Sequence, residues 1–161
     1  MEEYSTSFQT FHVPKEMRNL SDLSVKVKLP YQTTQNFMSQ NLYGDFAVAY
    51  LHDRAFQMLS LALDHLRTQN SHFTFLIFDA LRPRHIQRKM YEFVEPLGQS
   101  AYVAHPDSGS LHNFGLAVDL TVFDLKVNQS LAMGTDFDDF SDLAHTYAED
   151  LLLKNRRLSQ Q

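Results

Sequence analysis

The chain has 161 residues, with 14 Lys+Arg against 19 Asp+Glu, a formal charge of −5, eight His, and neither Cys nor Trp. One domain's length with an acidic balance excludes nucleic acid as the main partner, because a phosphate-reading surface needs clustered Lys and Arg. Lack of Cys excludes a disulfide scaffold and thiolate chemistry, and no apolar run reaches the ~18 residues of a membrane span.

The start, Met1-Glu2-Glu3-Tyr4, has no apolar h-region, so the expected address is cytoplasmic. There is no repeat and no linker, and residues 1–161 read as a single domain. Residues 1–24 carry no regular pattern. Val25-Lys26-Val27-Lys28-Leu29 alternates apolar and polar, the mark of a half-buried strand, and Pro30 ends it. Asp45 to Gln69 is the longest helical pattern. Leu51, Ala55, Met58, Ala62 and Leu66 form its apolar stripe, with Asp45 after Gly44 as the expected cap. Phe73 to Phe78 is a short apolar, aromatic-rich run and reads as a buried central strand. Pro83 suits the first turn of a helix over about 84–96, with Ile86, Met90, Phe93 and Val94 on one side.

Residues 98–109 form a loop with the turn residues Pro106-Asp107-Ser108-Gly109. Leu116 to Val122 reads as a second buried strand, residues 124–129 as a turn, and the pattern from Ser141 through Leu143, Tyr147, Leu151 and Leu152 as helical. Strands and helices are mixed rather than alternating. The expected fold is therefore α+β, a small antiparallel sheet with helices packed on one side.

Three spots could carry chemistry. In Ser110-Leu111-His112-Asn113-Phe114-Gly115-Leu116-Ala117-Val118-Asp119, a loop histidine precedes a carboxylate expected in mid-strand. Strand alternation puts Ala117, Asp119 and Thr121 on one face and Val118, Leu120 and Val122 on the other. A carboxylate among apolar neighbours needs a partner, which a metal, an arginine or backbone N–H groups can supply. Asp79 and Arg82 follow the first buried strand. Arg82 could reach over a site, where its fork suits a carboxylate or an oxyanion, or form a surface ion pair. Asp138 lies in a Gly-containing loop, as a ligand group or a turn residue. His105 and His145 are available near loops, with no spacing that assigns them.

Taken together, Asp79-Ala80-Leu81-Arg82-Pro83, Ser110-x-His112-x-x-Gly115-x-Ala117-x-Asp119-Leu120-Thr121 and Met133-Gly134-Thr135-x-Phe137-Asp138 resemble the D-alanyl-D-alanine dipeptidases of the vancomycin-resistance type. Those belong to a group of zinc peptidases that includes D,D-carboxypeptidases and hedgehog-like domains. Leu29-Pro30-Tyr31-x-Thr33-x-x-Asn36-Phe37 resembles the same family's N-terminal segment. The resemblance implies Zn²⁺ held by His112 and Asp119, an oxyanion stabilised by Arg82, and a substrate amino group received by Ser110 and Asp138. It implies a small dipeptide as partner. A D,D-carboxypeptidase or other cell-wall peptidase, and a non-catalytic binding module without metal, are the alternatives. The family's third ligand and general base come from a Glu-x-x-His block, and none follows Asp119 here. The 161-residue form is thus expected to be incomplete at its C-terminus and impaired, with uncovered apolar surface through which it self-associates. His145, swung inward, is the one candidate in sight for a substitute ligand.

Overall fold

A computed structural model describes residues 13–46 and 48–145. In chain order the elements are β1 (Met17–Asn19), β2 (Lys26–Val27), β3 (Tyr50–His52), α1 (Asp53–Gln69), β4 (Phe73–Asp79), α2 (Arg84–Val94), β5 (Asp119–Asp124) and β6 (Gln129–Ser130), with short 3₁₀ turns between them. Strands β1 and β3 form an antiparallel pair, and the main sheet runs β2-β4-β5-β6. The α+β expectation holds, but the sheet is mixed rather than antiparallel. β2 runs parallel to β4, pairing Lys26 with Leu76 and Val27 with Ile77. A parallel pair needs a long crossover, and the chain from 28 to 72, which includes α1, supplies it. Two paired residues in β2 are too short a pattern to announce that topology.

The long helix begins eight residues later than its apolar pattern suggests, because β3 occupies Tyr50–His52. Asp45 therefore does not cap it; the His52 ring does, its Nδ1 accepting from Arg54 N at 3.3 Å. The buried stripe is Phe56, Leu59 and Leu63, flanked by Ala55 and Leu66, while Met58 is 66% exposed. The larger side chains at 56, 59 and 63 won the core face.

This stripe packs on Phe75 and Ile77 of β4, with Val118, Leu120 and Val122 against the same cluster. The expected alternation across the second strand is therefore present, although β5 starts only at Asp119. A second cluster joins Ile86, Met90 and Val94 of α2 to Tyr31, Met38, Leu42 and Tyr43. The segment that supplies those four is knotted by Asn36, whose Nδ2 donates to the carbonyls of Pro30, Thr33 and Gln40 at 2.8–3.1 Å. Between the clusters lies an open cleft of about 1300 Å³, lined among others by Phe78, Arg82, His112, Asp119 and Asp138. Among the described residues no helix is long and apolar enough to cross a membrane. Beyond Ser141 the described residues hold the turn Asp142–Ala144 and its flanking His145; Tyr147, Leu151 and Leu152 lie outside them.

Candidate metal centre and anion-binding arginine

The site starts from an irregularity in the sheet. Ile77 pairs with Leu120, but the next pair is Asp79 with Asp119, so β4 carries one extra residue, Phe78. A bulge of this kind re-aims the side chains that follow it. Here it sets two carboxylates opposite each other at the edge of the cleft.

Asp79 is fully buried, and both its oxygens are saturated. Oδ1 accepts from the Tyr43 hydroxyl and from Ala80 N; Oδ2 accepts from Arg82 Nε at 2.8 Å and pairs with Nη2 at 2.7 Å. Arg82 also reaches Asp119, with Nη2 3.6 Å from Oδ2, and lies over the Tyr31 ring. Burial alone would lower the pKa of Arg82, but the Asp79 carboxylate outweighs it and holds the guanidinium charged.

The histidine loop is stitched to the arginine loop through the backbone. Arg82 N donates to His112 O at 2.9 Å, Asn113 Nδ2 donates to Arg82 O at 2.9 Å, and His112 Nδ1 meets Ala80 O at 2.8 Å. Ser110 opens the turn over Leu111–Phe114: its Oγ accepts from His112 N, and its own N–H donates to Asn113 Oδ1. Gly115 closes that turn at φ +63°, and a Cβ there would come within 2.8 Å of His52 N and Met17 Sδ. Only glycine meets both demands.

In the neutral ring a carbonyl facing Nδ1 keeps the proton there and turns the Nε2 lone pair to the cleft, the form in which histidine binds metals; without a metal, a second proton on Nε2 bonds Asp119. That Nε2 sits 3.4 Å from Asp119 Oδ1. Two ligands each ~2.0–2.1 Å from a tetrahedral zinc lie roughly 3.3 Å apart, so the pair fits the ion. Asp79 is the third member of this group. Its Oδ2 is 3.7 Å from the Nδ1 side of the ring, and its lone pairs are already taken by donors, so it supports Arg82 rather than ligating. Asp119 is not buried in mid-strand as its apolar neighbours suggest. It stands at the first position of β5, with its side chain 36% exposed, opening onto the cleft.

Asp138 lines the same cleft in a left-handed conformation, φ +60°. The Tyr31 hydroxyl donates to its carboxylate, 2.9 and 3.0 Å from the two oxygens. Phe137 packs against Tyr31 and Phe78, anchoring the loop. Burial pushes the Asp138 carboxyl up to about 6, with Asp119 adding to the rise and the Tyr31 bond opposing it. Burial and Asp138 together raise the Tyr31 phenol, which stays a donor. Burial would lower the His112 pKa, but the bond to Asp119 raises it, and the balance is upward. Three carboxylates thus face one guanidinium, an excess of negative charge that a divalent cation would neutralise.

The D-Ala-D-Ala dipeptidase model of the Peptidase M15 family matches residues 16–158. The chain belongs to this family. It is also 30% identical over 133 residues to the D-alanyl-D-alanine dipeptidase of Escherichia coli (strain K12), an alignment covering 80% of this chain. The chain spans 65% of the length of that relative.

Within this family member, the structure brings His112, Asp119, Arg82, Ser110 and Asp138 to one cleft. His145 is not in the described metal-capable group; its Nε2 lies 3.1 Å from the Tyr102 hydroxyl. His105 Nδ1 accepts from Asp107 N in an exposed turn. Sequence reasoning missed Tyr43 and Gln87, and it quoted Tyr31 without a role. Tyr31 was findable from its place in the Pro30-Tyr31 block. Gln87, one polar residue in an amphipathic helix, gave no signal.

Proposed function

We propose that this chain acts on the D-alanyl-D-alanine dipeptide as a zinc-dependent hydrolase. The observation that carries the reading is the His112 ring, with Nδ1 on Ala80 O and Nε2 3.4 Å from Asp119 Oδ1, beside Arg82. His112 and Asp119 would hold the ion. Bound zinc supplies a water that deprotonates near neutral pH and polarises the scissile carbonyl.

The chain's own groups do the rest. Arg82 presents fixed positive charge where the carbonyl oxygen becomes negative, and buried charge of that kind acts most strongly in the transition state. Asp138 receives the substrate ammonium, with Ser110 lining the same cleft, which favours a free dipeptide over an internal peptide bond. The aromatic packing of Phe137 on Phe78 and Tyr31 holds that carboxylate in place. Among the described residues, His112 and Asp119 supply two of the three protein ligands that a catalytic zinc usually has.

Zinc titration with a competing chelator and a D-alanine release assay, each on wild type and His112→Ala, test the proposal. Zinc binding lost in His112→Ala, with zinc-dependent release of D-alanine by wild type, is expected. Zinc binding and D-alanine release unchanged in His112→Ala would overturn it. Zinc binding indifferent to His112, without release, would favour a non-catalytic binding module.

A further inference from the structure

Gln87 sits on α2, outside the motifs that define the site. It is 1% exposed, so each polar atom of its amide needs a partner. Both have one. Oε1 accepts from Arg82 Nη1 at 2.9 Å, and Nε2 donates to the carbonyl of Ala104 at 2.8 Å. Only one orientation of the amide satisfies a guanidinium donor on one side and a carbonyl acceptor on the other.

The consequence for Arg82 follows by counting donors. Its five N–H groups lie in one rigid plane. Nε and Nη2 spend theirs on Asp79 Oδ2, and Nη1 spends one on Gln87. The contact to Asp79 grips one edge of the plane through a single oxygen and acts as a pivot. Gln87 grips the other edge. Together they leave one N–H on each Nη for the cleft. Through Ala104, the same amide ties the arginine to the wall that carries Tyr102 and Val103.

We propose that Gln87 is a positioning residue for Arg82, setting the angle at which its remaining donors meet an oxyanion. It touches no substrate, since both ends of its amide are occupied. The inference rests on the proposed hydrolase reading for its purpose, but the clamp itself can be tested without turnover.

In metal-free protein, nitrogen-15 NMR of the arginine side chains follows the Arg82 Nη1 protons. Gln87→Met, close in size but without the acceptor, is expected to speed their solvent exchange about tenfold. Gln87→Glu keeps an acceptor for Nη1 and is expected to restore the slow exchange. Equal exchange rates in wild type and Gln87→Met would refute the clamp. So would equally fast exchange in Gln87→Glu and Gln87→Met, which would trace the effect to general loosening; if Gln87→Met fails to fold, Gln87→Leu, which also lacks the acceptor, takes its place.

The functional arm is the affinity of the zinc-loaded chain for a phosphinate analogue of the dipeptide, whose tetrahedral oxygen mimics the oxyanion. About tenfold weaker binding in Gln87→Met, with D-Ala-D-Ala itself bound as before and Gln87→Glu near wild type, supports positioning. Phosphinate and dipeptide weakened equally would overturn it. A wild-type chain that binds no phosphinate would count against the hydrolase reading, and the exchange arm would still decide the clamp.

Discussion

Asp79→Asn should be among the most damaging single-atom changes available in this protein. The native carboxylate accepts four donors, two on each oxygen, from Tyr43, Ala80 and Arg82, and no solvent reaches it. An asparagine must place its NH₂ against two of those donors, whichever way it turns. It also removes the charge that neutralises Arg82, itself only 8% exposed. Removing one partner of a buried pair costs ~3–5 kcal/mol, because the survivor is left uncompensated. For a domain of this size each kcal/mol lowers the melting temperature by roughly 2–4 °C, so a fall of about 10 °C is expected. Urea unfolding at pH 7 gives the free energy directly. A double-mutant cycle with Arg82→Met should show coupling of at least ~2 kcal/mol, since the second change removes the stranded cation. A loss below about 1 kcal/mol, or additive effects in the cycle, would mean that Asp79 and Arg82 do not form a desolvated pair and that the arginine is held by something else.

In a form that turns over the dipeptide, Arg82→Ala should lower kcat by ~10²-fold or more while zinc stays bound; a loss confined to KM would make Arg82 a substrate-binding residue only. In metal-free protein the Asp138 carboxyl should titrate near 6 by carbon-13 NMR, and Tyr31→Phe should move it higher by removing the bond that opposes burial. Because the folded pKa lies above the ordinary value of 3.8, wild type is stabilised below about pH 4 and loses that stabilisation as pH rises through 6. Asp138→Asn should therefore gain on wild type in urea unfolding between those limits, and a constant difference would contradict the assigned pKa. Gly115→Ala combines φ +63° with a 2.8 Å approach to the His52 backbone and should cost ~2 kcal/mol or more by the same measurement, with zinc affinity falling as His112 shifts.

The motifs were legible because they are local. Asp79-Ala80-Leu81-Arg82-Pro83 ends a strand and opens a helix, and Ser110 through Gly115 is one capped turn closed by a left-handed glycine, so each block specifies its own backbone. What joins the blocks was not legible. On the 80–82 side, the three bonds to residues 112–113 use two backbone carbonyls and a backbone N–H, which carry no residue code. The bulge at Phe78 and the parallel β2 pairing depend on register, and periodicity does not report register between strands. The stripe on α1 was misread because Leu51 belongs to β3, which shifted the starting phase and put the exposed Met58 where Phe56 and Leu59 belong.

The position of Arg82 ties stability and chemistry together in a way that the motif alone does not convey. Its backbone joins the histidine turn. Its side chain joins β4 through Asp79, α2 through Gln87 and β5 through Asp119, with the Tyr31 ring beneath it. A free arginine at a cleft would lose rotamer entropy each time it met an oxyanion; this one has lost that freedom on folding. The same arrangement explains why two carboxylates can stand opposite each other at the bulge. Asp79 gives up its lone pairs to hold the cation, and Asp119 keeps one oxygen near the arginine and turns the other to His112. One acid is buried and structural, the other half-exposed and available. The division between them is set by which side of the guanidinium each one faces.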